Sequence, residues 1–237
     1  MLTDKEANQL FRDLISKESN ELGFITVENG LSATDPPYLM RQLENQKEII
    51  GSLYLTKFDN KCRAVLYFNK RFDQIENIWG KFYPMIFKVS ERFDPINLTT
   101  IATNLKSLEE YNSLKDKRRW LSLNDRFEAE CKEDEIVKLS QTYMDRINNK
   151  IIPFFDSYNT VLDVNNKMNE KPEAYWEYIN VFSAVGLYYK KVITAHLTSD
   201  VRFNEICDFS GQKLSDLKTF DNLPQIDIFK KLLDELN

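Results

Sequence analysis

The sequence predicts an α+β protein: an antiparallel sheet of four to six strands covered by helices and followed by a C-terminal helical unit. Three observations carry this. Residues 3–22 and 124–149 repeat apolar side chains at helical spacing. Within residues 49–69, two runs alternate with a period of two around a short turn at Asp59-Asn60. From Pro172 onward the pattern is helical throughout. The polar stretch from Asn165 to Pro172 reads as a linker, so the expected units are 1–165, a sheet domain, and 172–237, a helical unit packed on it.

The first helix starts at Thr3, with Glu6 three positions on as a capping box, and Ala7, Leu10, Phe11, Leu14 and Ile15 form its apolar stripe. Gly23 ends it. Phe24 to Glu28 reads as a short strand closed by Asn29-Gly30, and Tyr38 to Glu44 as another beyond the turn at Asp35-Pro36-Pro37. Ile50, Ser52, Tyr54, Thr56 and Phe58 fall on one strand face, with Leu53 and Leu55 on the other. The return strand alternates Cys62, Ala64, Leu66 and Phe68 with Arg63, Val65 and Tyr67.

A short helix over 73–83 is expected to stop near Pro84, with Met85 to Val89 as a strand, partial helix over 94–115, and a last strand at Trp120 to Leu123. The helix over 124–149 shows Ile136, Leu139, Tyr143 and Ile147 as its stripe and is expected to break at Pro153. From Pro172 to His196 apolar residues occupy nearly every helical face, the mark of a helix enclosed by protein. Shorter helices are expected at 201–209 and 225–236.

With 32 basic and 37 acidic residues the net charge is -5, which disfavours nucleic acid and anionic membrane as partners. No stretch approaches the length of a membrane span, and no apolar signal core is visible. Cys62, Cys131 and Cys207 are odd in number and far apart, so buried reduced thiols and a cytoplasmic location are expected. The Asn97-Leu98-Thr99 sequon then has no use.

The chain has one histidine, three cysteines and six glycines, which removes many mechanisms at once. His196 precedes Asp200 by four residues, so one helical turn could pair a base with its orienting carboxylate; a helix-end histidine on the dipole is the plainer reading. Asp125, Glu128, Glu130, Glu133, Asp134 and Glu135 form an acidic run in which Glu130 and Asp134 would share a helical face, as a cation or protein contact or as a solvated face. Lys115, Lys117, Arg118 and Arg119 precede Trp120, but the acidic run follows directly. Aromatics are dense between Tyr38 and Phe93, including Tyr54 and Tyr67, and make either a binding platform or a covered core. Phosphate-loop, dinucleotide-fold, nucleophile-elbow and zinc patterns are absent.

Leu22-Gly23-Phe24 after the first helix, the hairpin over 49–69, Trp120, and Pro153-Phe154-Phe155-Asp156 after a helix form an ordered set. In this respect residues 1–170 resemble a group of small bacterial α+β domains of unknown function. The resemblance implies a bacterial source and a helix-then-meander order. It transfers no catalytic role, because that group has no established activity.

These observations lead to one expectation and one alternative. The expectation is a bacterial cytoplasmic, non-catalytic protein-binding module without cofactor or metal. An immunity-like or inhibitory role against a basic toxin is its sharpest form. The binding residues would be Glu128, Glu130, Asp134, Tyr54, Tyr67 and Trp120. The alternative is a hydrolase or transferase with a carboxylate-lined cleft between the sheet and the helical unit.

Overall fold

The computed structural model describes residues 1–28, 36–87, 98–103, 125–171, 184–216 and 225–236. It is an α+β protein in which the described residues form one sheet of seven strands, seven longer α-helices, and a short α-helix at Ile152–Asp156 preceded by a π-helical turn. The strands are β1 (Ile25–Val27), β2 (Tyr38–Leu43), β3 (Gln46–Gly51), β4 (Thr56–Phe58), β5 (Lys61–Phe72), β6 (Ile101–Thr103) and β7 (Asp125–Glu130). The sheet runs β1-β2-β3-β5-β4, and every register described is antiparallel, including β5 with β7. The longer helices are α1 (Asp4–Glu21), α2 (Asp73–Ile86), α3 (Glu133–Arg146), α4 (Val161–Met168), α5 (Ala184–Leu197), α6 (Phe203–Asp216) and α7 (Gln225–Leu236). The chain divides into two compact units, Met1–Lys70 with Ala102–Asp156, and Arg71–Ile101 with Ser157–Asn237.

In the first unit α1 packs against α3. Ala7, Phe11 and Ile15 of α1 are buried, as are Ile136, Leu139 and Tyr143 of α3. Phe11 meets Tyr143 edge-on at 5.3 Å between ring centroids, and Phe127 of β7 closes on the same tyrosine at 6.1 Å. Cys62, Ala64, Leu66 and Phe68 of β5 are all buried, as their alternation demands. Each such side chain removed from water contributes roughly 1.5–3 kcal/mol when large and apolar. The expected hairpin is kept at β4–β5, where Phe58 opposes Lys61 and Asp59 takes φ 52°, the left-handed conformation tight hairpin turns require. Its first strand, expected as one run through Ile50 to Phe58, is interrupted at residues 52–55 between β3 and β4.

The first unit also buries charge. Glu48 of β3 accepts from Lys70 of β5 at 2.8 Å and from Arg41 of β2 at 2.6 Å, and Lys70 also donates to the Phe155 carbonyl at 2.9 Å. With both carboxylate oxygens engaged, the desolvation cost is offset in the only way an interior allows.

In the second unit Tyr189 of α5 is the meeting point of three helices. Its ring lies 5.0 Å from Trp79 of α2 and 5.4 Å from Phe229 of α7, and its hydroxyl donates to the Gln225 carbonyl at 3.0 Å. Burial pushes that phenol well above its usual range. Beside it, buried Glu76 accepts from Lys190 and from the Thr100 hydroxyl, each at 2.8 Å.

Further local expectations change. Pro84 lies inside α2 and Met85 is helical, because a proline in the last turn forfeits one donor while the Phe87 amide still bonds the Tyr83 carbonyl. The helix after α3 does not break at Pro153. A π-helical turn at Ile147–Ile151 leads into α-helix Ile152–Asp156, and this wider register relieves the clash a proline ring makes with the preceding turn. Asp125–Glu130, expected as the start of a helix, is strand β7: Phe127 and Ala129 are half-buried between exposed Glu128 and Glu130, a period of two. Asn165 to Met168, expected as linker, closes α4, which opens on a capping box between Thr160 and Asp163.

Another change is chemical. Cys62 and Cys131, expected as reduced thiols, form a disulfide with Cα atoms 5.6 Å apart. The register explains it: Cys62 opposes Ala129, so Cys131 runs past the end of β7 to face the β4–β5 turn, where its amide donates to the Asn60 carbonyl at 3.0 Å. Among the described residues no helix is long and apolar enough to cross a membrane. Ile101–Thr103, expected within a helix over 94–115, is strand β6, and Met85 and Ile86 of the expected strand at 85–89 belong to α2. Residues 88–89, 94–97 and 104–115 of these expectations, and the expected strand at 120–123, lie outside the described residues.

Candidate functional site

The candidate site grows from the first turns of α1. The Thr3–Glu6 capping box fixes where the helix begins and holds the Glu6 carboxyl below its usual range by accepting from the Thr3 amide and hydroxyl. One turn on, Asn8 points at the segment joining β3 to β4. Its Oδ1 accepts from the Leu55 amide at 2.7 Å and its Nδ2 donates to the Leu55 carbonyl at 3.1 Å. A carboxamide makes this two-point contact as a neighbouring strand would. The Leu53 amide donates to the Pro37 carbonyl at 2.7 Å and the Ser52 amide to the Val65 carbonyl at 3.1 Å, so this segment is tied down although it belongs to no strand.

Tyr54 sits between these ties. Leu53 and Leu55 are each 1% exposed and Tyr54 is 50% exposed, so a fixed main chain presents one ring outward. That ring borders a groove of about 430 Å³ walled by Asp4, Asn8, Gln9 and Arg12 of α1 and floored by Pro37 and Leu53. The far wall is held by a relay: Arg12 donates to Gln9 at 2.7 Å and to Glu28 at 2.5 Å, and Gln9 donates to Asp13 at 2.7 Å. Asp4 pairs with Lys57 at 3.0 Å. The groove therefore offers an aromatic ring at its border, an apolar floor and a polar rim of paired charges.

The other expected residues are dispersed. Tyr67 of β5 is part-exposed, and its ring lies over Gly51, where a Cβ would come within 2.4 Å of Cζ. Glu128 of β7 pairs with Arg63 at 2.7 Å and Lys61 at 3.9 Å. Glu130 pairs with Lys132 at 2.5 Å, which holds its carboxyl below the usual range. Asp134 is in the first turn of α3, so Glu130 and Asp134 lie on different elements and do not share a helical face. Glu135 pairs with Lys138 at 2.7 Å. Among the described residues no three His, Cys, Asp or Glu side chains are grouped to hold a metal ion. Trp120 and the basic run from Lys115 to Arg119 lie outside the described residues.

His196 and Asp200 do not form a dyad. The Asp200 carboxylate accepts from Arg202 at 2.9 Å and Asn165 at 2.8 Å, and Arg202 is the main reason its pKa falls to about 2. The His196 ring lies 5.9 Å from Phe203 at a tilt. Sequence reasoning missed Asn8, Gln9 and Arg12. A signal was present, since positions 8, 9 and 12 share a polar strip beside the apolar stripe of α1. No protein-family model, curated protein or solved structure matches this chain.

Proposed function

We propose that this chain is a non-catalytic binding protein whose partner is another protein, an extended segment of which lies along the α1 groove with Tyr54 as the anchoring ring. The observation that carries the proposal is the contrast at residues 53–55. Two leucines at 1% exposure fix a main chain from which one tyrosine stands half out, and rigid tyrosines bind at low entropic cost. An immunity-like or inhibitory role belongs to the same proposal. Its charge argument needs unpaired carboxylates, and Glu128, Glu130 and Glu135 are each paired with a lysine or arginine, so Tyr54 rather than the acidic run carries the reading. A cytoplasmic setting is kept as part of the proposal, and there a disulfide is more often redox-responsive than permanent.

The test compares wild type, Tyr54→Ala and Tyr54→Phe, each matched for far-ultraviolet circular dichroism, by quantitative co-purification from the native host and titration with the purified partner. Affinity should fall at least tenfold for Tyr54→Ala and return with Tyr54→Phe, matching a hot-spot loss of about 1.4 kcal/mol or more. A partner bound equally by Tyr54→Ala would place the contact elsewhere.

A further inference from the structure

We propose that the Cys62–Cys131 disulfide is a redox clasp on the groove: its reduction shifts the Cys131 peptide and releases the start of α1, while the β1–β3 meander stays paired. The inference starts from packing. Cys62 is 1% exposed and Cys131 fully buried, so the bonded sulfurs lie in the interior, where protein packing leaves little room for side chains to spread. A disulfide holds its sulfurs at about 2 Å, whereas unbonded thiols need roughly 3.5–4 Å. On reduction one of the two residues must move.

The sheet decides which. Cys62 lies within β5, opposite Lys57 of β4 on one side and Ala129 of β7 on the other. Cys131 lies beyond the last β7 pair, Lys61 with Glu130, and its main chain is held by two hydrogen bonds. Its amide donates to the Asn60 carbonyl at 3.0 Å, and its carbonyl accepts from the Leu2 amide at 2.8 Å. Cys131 is thus the partner that yields, and it carries Leu2 with it. Leu2 directly precedes the Thr3 cap of α1, and Asp4 and Asn8 of the groove wall follow within two turns. A change at one disulfide is in this way delivered to the wall that faces Tyr54.

The chemistry balances with a dithiol reductant. One of its thiolates attacks a sulfur of the pair, a mixed disulfide forms, and its second thiol resolves that intermediate. Two electrons and two protons pass to Cys62 and Cys131, and the reductant leaves as its own disulfide.

The effect on binding rests on the groove proposal, but the structural step is tested without any ligand. Amide spectra of the isotopically labelled full chain are recorded oxidised, reduced with dithiothreitol, and reoxidised. Reduction should shift the Leu2, Asn60 and Leu55 amides and the Asn8 side-chain amide, leave the β2–β3 amides in place, and reverse on reoxidation. Cys131→Ser should give the reduced pattern without dithiothreitol. Shifts confined to Cys62, Cys131 and their immediate neighbours would overturn the clasp. So would collapse of the whole spectrum on reduction, which would make the bond a global staple. If Leu2 and Leu55 move but Tyr54→Ala leaves partner binding intact, the clasp stands and the groove proposal falls.

Discussion

Glu48 and Lys70 meet at 2.8 Å with both side chains 1% exposed, so a full ion pair sits inside the sheet. Removing one member leaves the other buried without its main partner. Lys70→Met should cost about 3–5 kcal/mol, at the lower end because Arg41 still bonds Glu48, whereas Lys70→Met with Glu48→Gln should recover a large part. Urea unfolding of the three proteins reads the difference.

The Asn8 carboxamide satisfies both main-chain groups of Leu55. Asn8→Ala should therefore lose about 1–3 kcal/mol, the cost of leaving partly buried polar groups unpaired. In a chain of 237 residues this lowers the melting temperature by roughly 2–4 °C per kcal/mol, measurable by calorimetry.

Gly51→Ala should displace the Tyr67 ring, because the new Cβ would come within 2.4 Å of Cζ. A cost of about 1–3 kcal/mol follows for overpacking, relieved when Tyr67→Ala is added. Crystallographic comparison of the single and double variants reads the ring position directly.

Asp200 makes stability pH-dependent at the acid end. Its pKa of about 2 lies below the ordinary 3.8, so the charged form is favoured in the folded chain. That contribution is fully present above the ordinary value and is lost as pH falls through about 2. Unfolding free energy measured from pH 5 to pH 2 should fall less steeply in Asp200→Asn than in wild type.

Replacing Cys62 and Cys131 with serine should reduce stability by roughly 4 kcal/mol in the loop-entropy account, since the ring spans 69 residues. Guanidinium midpoints of oxidised wild type and the double variant measure it.

Much of the fold was legible because it is written locally. The Thr3–Glu6 box, the stripe through Phe11 and the alternation through β5 each depend on residues a few positions apart. What the sequence hid depends on register. Cys131 meets Cys62 only because β7 pairs with β5, and the acidic letters of Asp125–Glu130 mask the period of two that makes them a strand. The site was legible at Tyr54, an aromatic flanked in sequence by two leucines. The polar strip holding Asn8 was legible in α1, but its partner was not, because Leu55 is 47 residues away.

The pairing of Arg63 with Glu128 across 65 residues also bears on synthesis. At 5–20 residues per second, β5 leaves the ribosome roughly 3–13 s before its partner strand exists. During that interval the edge later covered by β7 is open to any other nascent strand. Lys61 and Arg63, which later pair with Glu128, would then stand as positive charges that repel a second copy of the same edge. The ion pairs of the finished sheet thus begin as protection for an unfinished one.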